Sequence, residues 1–222
     1  MNNLVKFLIF FYFLSFPLNV FGFYYKPVHE FEIHRNNKKI GFHKLSFQNI
    51  EDKIIVNTEI KMVVKIGFVP VFNYIHKANE TWKDEKFIKA KTSTIKNNRN
   101  FELEAYRKDN KLEIKSNKKV FSVNENSLIT SYWHQHWFKK KVLIDSQHGK
   151  KRLINIEKKN FEKISTANGF IYAQNYKVTG TQDKPNGKKI DYNIWYDEKG
   201  RWVKISFFIK KSFIEYYLVT QY

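Results

Sequence analysis

The sequence predicts an all-β domain, mainly antiparallel, whose long curved strands form a barrel or half-barrel. Three observations predict it. Apolar and polar residues alternate with period two along most of the chain, the signature of half-buried strands. Clusters of Asn, Asp and Gly separate the alternating runs. Several runs exceed ten residues, and long strands with one wet face suit a strongly curved sheet.

The first strand places Phe31 and Ile33 against Glu32 and His34, and Asn36-Asn37 turns the chain into a return strand over 40–47. Residues 54–66 are the clearest case. Ile54, Val56, Thr58, Ile60, Met62, Val64 and Ile66 share one face, and Asn57, Glu59, Lys61 and Lys65 share the other. At about 3.4 Å per residue this run is about 44 Å long. After the corner Gly67-Phe68-Val69-Pro70 a second long strand covers 71–82, with Phe72, Tyr74, His76, Ala78, Glu80 and Trp82 on one face. Strands over 87–94, 101–108, 111–116 and 119–123 continue the meander. Residues 126–147 lie between the two halves, and within them residues 131–138 break the alternation. This aromatic stretch predicts one short central helix near 130–138, with Thr130 or Ser131 as N-cap. The C-terminal part predicts strands over 153–158, 169–179, 190–196, 202–209 and 213–219. Asp197-Glu198-Lys199-Gly200 forms a hairpin turn with Gly where a positive φ is needed. The total is about a dozen strands. With no internal repeat and no linker, residues 23–222 read as a single β-rich domain.

Residues 1–22 read as a signal peptide. A short segment ending in Lys6 precedes an apolar run over 7–16 that only Ser15 interrupts. Pro17 and Asn19 break the run, and Val20-Phe21-Gly22 offers a cleavage site before Phe23. A retained anchor is the alternative, but a spanning helix needs about 20 apolar residues. The chain has no cysteine, so a lipoprotein anchor and structural disulfides are excluded. An export signal without cysteine points to the periplasm of a Gram-negative bacterium.

The formal net charge is +19. An anionic membrane surface is one partner this charge suits. Nucleic acid is not expected. The basic residues are nearly all Lys, whereas phosphate and guanine recognition favours the planar fork of Arg. The Lys-, Asn-, Ile- and Phe-rich composition also fits an AT-rich coding sequence, in which case the charge serves solubility.

An ordered set of motifs carries a family resemblance. Residues 31–41 read Phe-Glu-Ile-His-Arg-Asn-Asn-Lys-Lys-Ile-Gly. Glu80-x-Trp82 ends the second long strand, Ser131-x-Trp133 sits centrally, and Ile194-Trp195-Tyr196-Asp197-x-x-Gly200-Arg201-Trp202-Val203 closes the domain. The set resembles an exported bacterial family catalogued as domain of unknown function 6134. The opening turn departs from the family pattern, with Asn-Asn in place of a Gly-containing turn; Asn tolerates positive φ. The resemblance implies export and β architecture and carries no activity.

No catalytic motif stands out. His134 and His136 flank Gln135, with Trp133 and Trp137 outside them. In an extended segment the two histidines face one way, but no spacing motif supplies further metal ligands, and His148, Asp145 and His76 are candidates by type alone. Ser131 lacks the Gly-x-Ser-x-Gly elbow of a nucleophile. Glu80, Asp84 and Glu85 form a loop carboxylate cluster near Trp82; two carboxylates flanking a cleft can hydrolyse a glycan, although turn acids are normally solvated. The aromatic excess remains: Phe72, Tyr74, Trp82, Trp133, Trp137 and Trp195 suffice to line an apolar cavity or to fill a core. The expectation is a non-enzymatic, barrel-like binder of a lipid or other apolar or amphipathic ligand, with Tyr74, Trp82, Trp133, His134, His136, Trp137 and Trp195 as binding residues and no cofactor. The alternatives are an envelope-associated hydrolase using the 131–137 region and a structural or partner-binding envelope module. An outer-membrane barrel is a weaker reading, because the many Lys leave few strands with an unbroken lipid-facing row.

Overall fold

The computed structural model describes residues 24–117 and 119–222; the expected signal peptide over 1–22 lies outside them. Eight strands run first as an antiparallel meander: β1 (Val28–Arg35), β2 (Lys38–Ile50), β3 (Lys53–Ile66), β4 (Val69–Lys83), β5 (Lys86–Lys96), β6 (Arg99–Lys108), β7 (Lys111–Ser116) and β8 (Lys119–Asn124). Two short strands follow, β9 (Leu128–Ile129) and β10 (Val142–Ile144), paired in parallel. A second antiparallel meander completes the chain: β11 (Lys151–Thr166), β12 (Gly169–Gln182), β13 (Lys189–Tyr196), β14 (Trp202–Ile209) and β15 (Ser212–Leu218). β15 pairs with β1, with Phe31 opposite Leu218 and Ile33 opposite Tyr216, and this welds both meanders into one sheet.

The sheet curls without closing. Its outermost strands, β8 and β9, are consecutive in the chain and joined by residues 125–127, yet among the described residues they form no ladder with one another. Other contacts bridge this seam. The Thr92 hydroxyl donates to the Ser146 carbonyl at 2.6 Å, and Arg107 Nη2 donates to the Ser127 carbonyl at 2.7 Å. Gly149 adopts φ +66°, and a Cβ there would lie 3.3 Å from Leu103 Cδ1, so the 145–150 loop presses on β6 with no side chain between.

Among the described residues, four hairpins turn on two residues that both have positive φ: Asn36-Asn37, Asp84-Glu85, Asn97-Asn98 and Asp109-Asn110. Such turns match the right-handed twist of the strands they join. Cross-strand partners share a face of the sheet. The row Leu45, Thr58, Ala78, Thr92 and the row His43, Ile60, His76, Thr94 therefore both point into the concave side. There they meet Phe31, Ile33, Leu103, Ile114, Ile194, Tyr196 and Trp202 in one core.

Two details differ from expectation. The central helix is a single 3-10 turn, His136–Lys139. The preceding carbonyls are already taken: Tyr25 Oη donates to the Trp133 carbonyl at 2.5 Å and Tyr196 Oη to the Tyr132 carbonyl at 2.8 Å, so they are not available to an α-helical ladder. β11 also runs well past the expected 153–158. A register shift between Lys158 and Phe161 breaks the sequence alternation while pairing with β12 continues. Beyond that shift the β11–β12 hairpin crosses the outer face. Its tip donates Ala167 N–H to the Leu218 carbonyl at 2.9 Å and Asn168 Nδ2 to the Val219 carbonyl at 2.6 Å.

Candidate functional site

The lower end of the half-barrel, where the β2–β3, β4–β5 and β13–β14 turns lie, holds an aromatic plug. Alternation on β4 points Glu80 and Trp82 inward, and the loop after β9 brings residues 131–137 down onto them. The Trp82 ring lies 4.2 Å from that of His134, 5.3 Å from Trp133, 5.4 Å from Phe87 and 6.1 Å from His136. Trp137 sits one layer further in, donating its indole N–H to Tyr196 Oη at 3.0 Å and packing on Tyr132 and Phe138. Trp82 and Trp137 are 1% and 0% exposed, so they fill the interior and do not line a void. Only the His136 side of the plug faces an open groove, about 550 Å³ in volume, where Glu85, Lys86, Arg107, Lys139 and Lys140 also stand.

A carboxyl group sits inside the plug. Glu80 Oε2 accepts the Trp82 indole N–H at 2.8 Å and the Trp133 indole N–H at 3.4 Å. Burial pushes the Glu80 carboxyl above its ordinary range, while hydrogen bonds from Trp82, Ser131 and Trp133 pull the other way. Burial holds His134 well below the usual imidazole value, with the charge of His136 adding to the effect. His134 Nδ1 accepts the His136 backbone N–H at 3.1 Å. The Ser131 hydroxyl thus bonds Glu80, and the His134 ring addresses the backbone. This arrangement satisfies a buried acid; it does not build the Ser–His relay a hydrolase needs. Asp84 and Glu85 stand apart from Glu80, on the turn beyond Trp82. Among the described residues no group of three or more His, Cys, Asp and Glu side chains is placed to hold a metal ion. Of the candidates by type, His76 Nδ1 bonds the Thr94 hydroxyl at 2.7 Å, and Asp145 is ion-paired with Arg152.

The structure therefore gathers Trp82, Trp133, His134, His136 and Trp137, but not Tyr74 or Trp195. Trp195 points to the outer face, where its indole donates to Glu162 at 2.7 Å and Lys204 Nζ lies 5.4 Å from its ring; the β11–β12 hairpin covers it. Tyr74 is inside but near the opposite, upper end, stacked between Phe72 and His76 with ring centroids 6.3 Å away on each side.

Around Tyr74 the interior has a different character, which the sequence did not flag. Met62 pairs with Tyr74 and Ile60 with His76, and Phe207 pairs with Tyr192. Ile60, Met62, Tyr74 and Phe207 are only partly buried. Arg152 and Asp145 form an ion pair beside them. Burial opposes both charges, but the Arg152 cation and hydrogen bonds from His148, Arg152 and the Gln147 backbone hold Asp145 well below the carboxylate range. The Tyr74 hydroxyl is pushed up by burial and further by the Asp145 charge, which places the ion pair within electrostatic reach of Tyr74. The inward face of β3 and β4 was visible in the sequence; the arrival of Asp145 and Arg152 from across the seam was not.

The match to known families comes at this point. The model of the family described as domain of unknown function (DUF6134) matches residues 31–219. The chain belongs to the DUF6134 family. No curated protein matches this DUF6134 chain. Among solved structures it is similar to a beta-barrel-like protein of the domain of unknown function DUF1849 from Brucella abortus. The TM-score is 0.60 at 10% sequence identity, covering 87% of this chain and 95% of that one. At that identity the likeness speaks for the fold alone: the two chains share a barrel-like sheet.

Proposed function

We propose that this DUF6134 protein is a non-enzymatic binder of an amphipathic ligand, acting in the bacterial envelope, and that the ligand's apolar part enters the upper half of the half-barrel. The observation that carries this reading is the division of the interior. Indoles and Glu80 pack the lower half solid, whereas Ile60, Met62, Tyr74 and Phe207 remain partly exposed on the concave face of the upper half. A partly wetted apolar wall inside a concave sheet is favourable ground for an acyl chain or a similar group, at about 25 cal/mol for each Å² covered. The Arg152–Asp145 pair and the Tyr74 hydroxyl supply polar groups at the edge of that wall for a ligand's head. The envelope location rests on the leader pattern of residues 1–22.

Native mass spectrometry of the protein isolated with its co-purifying lipids tests the proposal. The expected spectrum shows an adduct of amphiphile mass that organic extraction removes. Recovery of unliganded protein alone, with no uptake of added lysophospholipid, overturns it.

A further inference from the structure

The β3–β4 hairpin outruns the sheet that carries it. Pairing of β2 with β3 ends at Gly41 and Met62, and pairing of β4 with β5 ends at Tyr74 and Lys96. β3 and β4 continue together, Val63 with Asn73, Val64 with Phe72 and Ile66 with Val69. Residues 63–73 thus form a two-stranded finger that runs four residues, about 13 Å, past its last ladder pair with either neighbour, while β2 turns to β1 alone over Lys38–Ile40. Its base is braced by Asn97, whose backbone N–H donates to the Asn73 carbonyl at 3.0 Å and whose Oδ1 accepts the Asn73 N–H at 2.9 Å.

The finger is apolar where it should be polar. Phe68 at the tip is 99% exposed, and Ile66, Val69 and Val71 are 71%, 64% and 46% exposed. Lys65 is the one charged residue in the segment. A contiguous exposed apolar patch of this kind marks an interaction surface, and a two-stranded ribbon standing alone in water is marginal.

The charges of the molecule are sorted around it. Antiparallel pairing puts the β1–β2, β5–β6 and β14–β15 turns at the same end as the finger, and they carry Lys38, Lys39, Lys96, Arg99, Lys210 and Lys211. At the opposite end Glu51, Asp52, Asp84, Glu85, Asp109 and Glu198 offset Lys53, Lys83, Lys86, Lys108, Lys111 and Lys199 beside them, so the cations there are balanced. Phe208 and Ile209, 69% and 52% exposed, add a second apolar contact next to Lys210 at the finger's end. An apolar projection ringed by cations spread over several turns complements a broad anionic plane into which it can dip. A protein groove would enclose the finger without any need for cations across the whole end.

We propose that residues 63–73 insert into the headgroup–acyl boundary of an anionic bilayer, and that the cations of the same end seat on its phosphates. This stands apart from the ligand reading, since it needs only the outer surface; if both hold, the partly open interior faces the membrane.

The absence of cysteine allows a single reporter. Phe68→Cys, labelled with a nitrobenzoxadiazole fluorophore, reads the tip alone, and Asp84→Cys with the same label reads the opposite end. With vesicles of phosphatidylcholine plus phosphatidylglycerol, the Phe68 label should brighten and shift to the blue while the Asp84 label stays unchanged. Vesicles of phosphatidylcholine alone should leave both unchanged. Adding Lys210→Glu and Lys211→Glu should weaken the response to anionic vesicles by about tenfold or more. A tip label that ignores anionic vesicles, or that responds equally to neutral ones, overturns the proposal. So does a tip label that brightens with rising protein concentration in the absence of lipid, which would assign the finger to a second copy of the chain.

Discussion

Acidification should unfold this protein through its interior histidines. Four imidazoles are buried and held neutral: His29 and His43 are lowered to about 3, His76 to about 4, and His134 well below its ordinary value, in each case first by burial. In the unfolded chain each titrates near 6.5. The stability tied to these groups is therefore intact above pH 6.5 and is lost as the pH falls toward the folded values, because only the unfolded chain takes up the protons. At pH 5.5 each histidine favours the unfolded chain by RT ln(1 + 10), about 1.4 kcal/mol, and four together by about 5–6 kcal/mol. That is comparable to the whole stability of a typical domain, about 5–15 kcal/mol. Glu80 offsets part of it, since a carboxyl raised by burial gains from protonation as the pH falls through its folded value. Urea midpoints measured from pH 7.5 to 5 should fall steeply below about pH 6.5. His43 localises the effect. Both its ring nitrogens are buried without a hydrogen-bond partner among the described residues, between Phe31, Trp202 and Tyr216. His43→Leu should remove about a quarter of the pH slope and stabilise the neutral-pH protein by about 1 kcal/mol. A stability profile flat from pH 7.5 to 5, or a His43→Leu variant with an unchanged slope, would refute the reasoning.

Two further substitutions probe the plug and the seam. Glu80→Gln keeps an acceptor for the Trp82 indole and removes the charge, so it should raise stability by about 1–2 kcal/mol at pH 8 and change little at pH 5, as thermal melts at the two pH values would show. Gly149→Ala forces a Cβ to within 3.3 Å of Leu103 at a positive φ, and should cost about 1–2 kcal/mol by chemical denaturation while leaving the far-ultraviolet spectrum of the sheet intact.

The strands were legible because burial on one face imprints a period of two, and every expected strand is present. The closure of the two meanders was not, because the β1–β15 pairing joins residues nearly two hundred positions apart and leaves no local mark. Long strands also explain why the expected binding set divides. Tyr74 and Trp82 share a face of β4, but eight residues at about 3.4 Å each place them about 27 Å apart, one at each end of the molecule. Trp195 falls between inward-facing Ile194 and Tyr196 and so turns outward, and what buries it is a hairpin whose crossing depends on a bulge in β11. Glu80 was visible beside Trp82 as a neighbour on the same face. Its role as a buried acceptor was not, because one of its donors is the indole of Trp133, more than fifty residues away.

Met1 and Met62 are the only methionines, and Met62 stands on the partly exposed wall opposite Tyr74. Methyl-¹³C methionine NMR of the protein titrated with a lysophospholipid bearing a doxyl group on its acyl chain therefore reads the upper interior directly, with Met62→Leu assigning the resonance. The ligand account predicts a saturable shift of the Met62 methyl and its paramagnetic broadening at substoichiometric label. A Met62 signal unmoved and unbroadened at saturating amphiphile would contradict it.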